Sequence, residues 1–117
     1  MTDNAIEIVK RCFDAYLQQD LETAQQLTGV DFVFTSPQDD HIDRVAFFER
    51  CFPTSSRLRS QKLVLLAAAN EHDVFVMYEY ELLAGGRFRN TEVITVRNGQ
   101  MVEEQVFFGG NANPAEP

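Results

Sequence analysis

The second half of the chain alternates its side chains in twos, and the first half repeats them in threes and fours. Val74-Phe75-Val76-Met77-Tyr78-Glu79-Tyr80-Glu81 is the clearest run of the first kind. Period two marks a strand, and a period near 3.6 marks a helix. Residues 4–19 carry the helical period in Ile6, Val9, Phe13, Tyr16 and Leu17. Asn4 with Glu7 three residues later has the spacing of a capping box. Asp20 opens a second short helix with Leu21, Ala24 and Leu27, and Gly29 is placed to end it. Residues 30–35 read as a strand closed by Ser36-Pro37. A third helix is expected over 41–51, with Ile42, Val45, Phe48, Cys51 and Phe52 on its apolar side and Pro53 as its stop. Residues 54–59 read as a polar connector. From Ser60 to Gly110 the pattern predicts a meander of strands.

Helices followed by strands, rather than alternating with them, define an α+β class in which helices cover one face of a curved sheet. A length of 117 residues fits one domain, here 1–110, with 111–117 as a flexible tail. The hydrophobic fraction of 44% suffices for a core without staples. With 18 acidic and 10 basic residues the formal net charge is -8, so neither nucleic acid nor an anionic membrane is an expected partner. Cys12 and Cys51 lack metal-ligand spacing and fall in helical apolar phase, which fits two buried free thiols. No charged-then-apolar leader and no run of 18 apolar residues is present, so a cytoplasmic protein is the expectation.

The turns convert the pattern into faces. Asn98-Gly99 is a strong two-residue hairpin signal, because both central positions need positive φ. It pairs Thr95 with Val102, Val93 with Glu104 and Thr91 with Val106. Gly85-Gly86 pairs Tyr80 with Thr91 and Tyr78 with Val93. The turn at 70–73 pairs Leu65 with Tyr78 and Leu63 with Tyr80. The expected inner face then holds Leu63, Leu65, Ala67, Val76, Tyr78, Tyr80, Thr91, Val93, Val102, Glu104, Val106 and Phe108. The outer face holds Lys62, Phe75, Met77, Glu79, Glu81, Glu92, Ile94, Glu103, Gln105 and Phe107. A one-residue slip exchanges the two sets.

Glu104 is the single acid on that inner face. A carboxyl among valines and tyrosines has a raised pKa, because burial disfavours its charge, and this suits a proton donor or acceptor. A rim carboxylate is the competing reading. Tyr78 and Tyr80 are placed to orient a ligand oxygen, or merely to line the pocket. Phe13, Tyr16, Phe34, Leu65, Val76, Val93, Val106 and Phe108 complete the expected lining.

The layout resembles the nuclear transport factor 2-like superfamily, and within it the SnoaL-like family, over about residues 4–109. The segments that carry the resemblance are Tyr16-Leu17-Gln18-Gln19-Asp20-Leu21-Glu22, Phe32-Val33-Phe34-Thr35-Ser36-Pro37 and, above all, Glu92 to Glu104 around the Asn98-Gly99 turn. The resemblance implies a conical α+β barrel with a helix–sheet pocket. It also implies a homodimer through the outer sheet face, where Phe75, Met77, Ile94 and Phe107 would lie. The inner face read from the turns suggests a small, largely apolar ligand, and no cofactor is expected. Ketosteroid isomerases carry a catalytic Asp where this chain has Ser36. Limonene-type epoxide hydrolases carry their Arg and Asp residues where it has Tyr78, Tyr80 and Val106.

Asp39-Asp40-His41-x-Asp43 resembles a metal cluster, yet helix capping already accounts for the acids. His41 is kept as an acid/base at the pocket edge. Arg44 is expected to pair with Asp40, Arg87 and Arg89 to balance nearby glutamates, and His72 to be solvated. The functional expectation is a binder of a small apolar molecule that acts, if catalytic, as a cofactor-free isomerase, dehydratase or cyclase with Glu104 as acid/base. The alternative is a non-catalytic binding or dimeric interaction module.

Overall fold

The computed structural model describes the backbone of residues 2–112 and the side chains from Ala5 onward. In chain order it holds α1 (Thr2–Gln18), α2 (Leu21–Gln26), β1 (Thr28–Ser36), β2 (Asp39–Asp43), α3 (Arg44–Arg50), a 3-10 segment (Phe52–Arg57), β3 (Leu58–Ala68), β4 (Asp73–Leu82), β5 (Arg87–Arg97) and β6 (Gln100–Asn111). The strands form one sheet in the order β2-β1-β6-β5-β4-β3. All pairs are antiparallel except β1 beside β6. The architecture is the expected α+β cone, a curved sheet with helices on one face.

Local chemistry sets the element ends. Asp20 caps α2 by accepting from the Thr23 N–H at 3.2 Å and the Thr23 hydroxyl at 2.7 Å. That helix ends at Leu27, and Gly29 lies inside β1 rather than terminating the helix. The expected start of the third helix is corrected too. Ser36 Oγ accepts from the N–H groups of Gln38 and Asp39, which turns the chain back along β1 and makes 39–43 an edge strand. Asp43 then caps α3, accepting from the Ala46 N–H at 2.9 Å. The capping pair expected at Asn4 lies outside the described side chains. Of the expected tail, β6 includes Asn111 and the Ala112 N–H donates to the Arg87 carbonyl; residues 113–117 lie outside the description.

The core sits between α1, α3 and the inner sheet face. Ala5, Val9, Cys12 and Phe13 of α1 meet Val74, Val76, Ile94 and Val96, while Phe47 packs edge-on against Phe32 at 4.9 Å. Phe32 is 1% exposed, and truncating such a ring to Ala costs about 3–5 kcal/mol. Leu17 and Val45, expected on buried stripes, are exposed.

Register departs from expectation at three places. The hairpin turn itself is as predicted, with Arg97 opposite Gln100 and positive φ at Asn98 and Gly99. Val102 is then an extra, unpaired residue, so Thr95 faces Glu103 and Ile94 faces Glu104. Such a bulge shifts all later pairs by one. Across the Gly85-Gly86 turn, Glu81 faces Arg87, Tyr78 faces Asn90 and Val76 faces Glu92. That is an odd offset from the expected pairing, so β5 is reversed: Asn90, Glu92, Ile94 and Val96 point in and Thr91 and Val93 point out. In β3 a bulge at Val64 places Leu63 and Leu66 toward the core and leaves Leu65 exposed.

The charged pairs follow the true register. Lys62 faces Glu79 rather than Glu81, and Glu79 faces Arg89 rather than Glu92. Arg89 Nε donates to Glu79 at 3.1 Å, and Arg87 lies 3.8 Å from Glu81. Arg44 bypasses Asp40 and donates to the carbonyls of Thr28 and Gln25. His72 is half-buried, with Nδ1 3.2 Å from the Val96 carbonyl. At Gly109 β6 approaches β5 closely: a Cβ there would stand 2.3 Å from the Arg89 carbonyl oxygen, so any side chain would push the strands apart.

Candidate functional site

Helices and sheet enclose a cavity of about 460 Å³. Cys12, Phe13 and Tyr16 of α1 form one wall, Phe47, Cys51 and Phe52 a second, and the inner faces of β4, β5 and β6 the third. Of the expected residues, Glu104, Tyr78, Tyr80, Phe13, Tyr16, Phe34, Val106 and Phe108 line it. Four do not. Leu65 points outward beyond the Val64 bulge, and Val93 points outward because β5 is reversed. Val76 faces inward but is sealed in the core at 0% exposure. His41 sits on the edge strand with a φ of 51° and its ring against Asp40 at 2.6 Å, away from the cavity. Among the described residues no three His, Cys, Asp or Glu side chains converge as a metal site.

The register correction brings in a residue that the sequence reading had placed outside. Glu92 faces Val106 across β5–β6, and Glu104 faces Ile94 two residues along. The two carboxyls are therefore diagonal neighbours on the inner face, a spacing within reach of long side chains. Glu92 is 4% exposed. Its Oε2 accepts from the Tyr78 hydroxyl at 2.7 Å, and Asn90 Nδ2 lies 3.4 Å from the same hydroxyl. The other oxygen, Oε1, is shielded and receives no bond from any N–H or hydroxyl. Glu104 is the group within bonding reach of Glu92. Two carboxylates hold no proton between them, so the bond exists only when one is a carboxylic acid.

Electrostatics favours that state. Burial raises the Glu104 pKa well above the usual carboxylate range, and the Glu92 charge raises it further. Burial also raises Glu92, opposed by its bonds to Glu104 and Tyr78. Two like charges side by side in a low-dielectric site share one proton rather than ionise together. Tyr78 is raised by burial first and then by Glu92, so it stays a neutral donor. Its hydroxyl is committed to Glu92. The Tyr80 hydroxyl makes no hydrogen bond to a described group.

The remaining lining is quieter. Tyr16 shares a 2.7 Å hydroxyl bond with Thr54, which donates to the Cys51 carbonyl. The thiols of Cys12 and Cys51 are free, and burial is the main cause pushing each up to about 12. They are protonated at neutral pH and poor nucleophiles.

No protein-family model matches the chain, and no curated protein matches it in sequence. Solved structures do match. A nuclear transport factor 2-like protein of unknown function from Burkholderia xenovorans superposes with a TM-score of 0.76 at 16% identity, covering 99% of this chain and 91% of its own. The chain has the nuclear transport factor 2-like fold. An LEH-like epoxide hydrolase from M. tuberculosis is similar at a TM-score of 0.73 and 20% identity, over 92% of this chain and 84% of its own. Bal32a, from a soil-derived mobile gene cassette, reaches 0.78 at 17% identity, over 92% and 91% of the two chains. In the nuclear transport factor 2-like fold of this chain the helix–sheet cavity is the one that holds the carboxyl pair. No helix among the described residues is long and apolar enough to cross a membrane.

Proposed function

We propose that the chain binds a small, mainly apolar molecule in this cavity and moves a proton on it without a cofactor, as an isomerase, dehydratase or cyclase does. The observation that carries this reading is the buried carboxyl pair held by Tyr78 in an otherwise apolar cavity. A singly protonated pair offers one acid and one base at the same place. In an isomerisation, a proton leaves a carbon next to a carbonyl for the carboxylate, and the pair returns it at another carbon. The unpartnered Tyr80 hydroxyl would donate to the carbonyl oxygen as it gains charge. The ionised member of the pair takes the proton and the protonated member supplies one, so Glu104 acts as acid/base together with Glu92, and Tyr78 positions Glu92.

The test is proton exchange into small cyclic ketones in heavy water, followed by NMR. Exchange above the buffer rate, lost in Glu104→Gln, is the expected result. Equal exchange by Glu104→Gln and the parent chain removes the mechanism. A variant and parent that both bind the ketones without exchange leave the binding module as the function.

The outer sheet face supports pairing with a second copy. Leu65, Met77, Thr91 and Phe107 form one row across four strands there, and Leu65 and Phe107 are each about half exposed. Ile94, expected on this face, is buried inside at 1% exposure. Light scattering at micromolar concentration should give the mass of a dimer, reduced to that of a monomer by Met77→Lys. A monomeric parent chain excludes the pairing.

A further inference from the structure

Resting on the proton-transfer reading, we propose that Asn90 is a positioning residue: anchored by the Gly109 N–H, it turns the Tyr78 hydroxyl to Glu92, which makes Glu92 the base of the resting pair and Glu104 the acid.

Asn90 is an amide on the inner face, 5% exposed and directly opposite Tyr78 in the β4–β5 register. Burying an amide is costly unless its polar atoms find partners. Both ends of Asn90 find one. The Gly109 N–H donates to its Oδ1 at 3.4 Å, and its Nδ2 donates to the Tyr78 hydroxyl oxygen at 3.4 Å. The first contact sits at a bulge. Phe88 faces Asn111 and Asn90 faces Phe108, so Gly109 and Gly110 stand opposite Arg89 alone. Phe13 packs edge-on against the Tyr78 ring at 5.4 Å, which holds the phenol in place between Asn90 and Glu92.

The chain of bonds has one direction. A backbone N–H only donates, so Asn90 meets Gly109 with its oxygen and Tyr78 with its N–H2. The phenol oxygen then receives a hydrogen from Asn90 and gives its own to Glu92 Oε2 at 2.7 Å. The reverse chain would run from a Glu92 carboxylic acid to Tyr78 and on to Asn90. It would require the amide to flip, setting its N–H2 against the Gly109 N–H. Two buried donors facing each other carry the penalty of unmet groups.

The two carboxyls differ for this reason. Glu92 receives a hydroxyl donor, and no N–H or hydroxyl of a described residue donates to the Glu104 side chain. A donated hydrogen bond favours the charged form of a carboxyl, so the single proton rests on Glu104. The other titratable groups around the pair, Cys12 and Tyr16 of α1, Cys51 after α3 and Tyr78 of β4, are each raised by burial and stay neutral. Of the charged groups on the cavity wall, Arg50 is matched by Asp39 at 3.1 Å and Arg57 is exposed. In an isomerisation Glu92 takes the proton from one carbon and Glu104 gives its own to another. The pair then holds its one proton on Glu92, and transfer to Glu104 restores the resting state.

The experiment is an NMR titration of the full chain with isotope-labelled glutamate carboxyls, the two signals being assigned from Glu92→Gln and Glu104→Gln. In the parent chain Glu92 should ionise first, with Glu104 at a separate, higher midpoint. Asn90→Leu should bring the midpoints together by about half a pH unit or more, a threefold change in the ratio of the two singly protonated forms, and should move the pH profile of ketone exchange with them. Asn90→Ser, too short to reach the Tyr78 hydroxyl, is read the same way if Asn90→Leu does not fold. Calorimetric binding of 1-decanol checks that each variant keeps its cavity. A parent chain in which Glu104 ionises first overturns the assignment of base and acid. A separation that both Asn90 variants leave unchanged removes Asn90 from its role. Neither result touches the proton-transfer reading, which falls on its own if the parent chain does not exchange the ketones.

Discussion

The floor and the rim of the cavity are built from similar side chains and reach opposite electrostatic outcomes. At the floor, Tyr78 donates to Glu92 at 2.7 Å, and Glu104 stands within bonding reach of the same carboxyl with its pKa raised by burial and by the Glu92 charge. A single proton on the pair would give Glu92 Oε1 its partner. At the rim, the exposed Arg57 guanidinium, Gln61 Oε1 and the Tyr80 hydroxyl have no partner among the described residues. Burial explains the difference in part: Tyr78 and Glu92 are buried, and an unmatched group costs most where solvent is excluded.

The comparison breaks most visibly at Glu104. Glu104→Gln removes the shared proton and should lower ketone proton exchange by about 10²–10⁴-fold, the range of general acid–base catalysis, measured by NMR with 1-decanol binding retained. Tyr78→Phe leaves a buried Glu92 oxygen without its donor, and should cost about 1–3 kcal/mol in urea unfolding. No loss of stability would show the floor network to be unimportant.

A pH series sharpens the same point. The folded Glu104 pKa is raised by burial and by Glu92, so the folded chain keeps a proton that the unfolded chain releases. This stabilisation is complete below the unfolded value of about 4.3 and is lost as pH rises through the folded one. Over that window stability should fall by about 1.4 kcal/mol per pH unit for each proton held only in the fold. Glu104→Gln should flatten the slope in urea unfolding at stepped pH, and an unchanged slope would contradict the shared proton. The smallest effect is expected at the rim, where Arg57→Gln should shift stability by no more than about 0.5 kcal/mol. A larger loss would mean that Arg57 supports the fold.

The elements were legible because their causes are local. The helical stripe of α1, the cap at Asp20 and the Asn98-Gly99 turn each act within a few residues, and each is present. Glu104 was placed with Tyr78 and Tyr80 because the odd offset between β4 and β5 and the one-residue bulge at Val102 cancel, so β6 keeps its expected side relative to β4. Glu92 was missed because its face depends on how β4 meets β5. The excursion around Gly85-Gly86, which runs over 82–86 between Glu81 and Arg87, set that register at an offset the two glycines do not encode. His41 was misplaced because its segment pairs with β1, and an edge strand of acids and one imidazole looks like a helix start when its partner is unseen.

By itself, then, the order of residues determined the α+β class, the turn positions and the alternation of each strand, because propensity, capping and pleat are short-range properties. Only the tertiary structure decided which side of β5 faces in, and so that Glu92 joins Glu104. Bulges at Val64 and Val102 and the parallel contact of β1 with β6 arise from packing between distant segments, where a shift of one residue exchanges solvent for cavity.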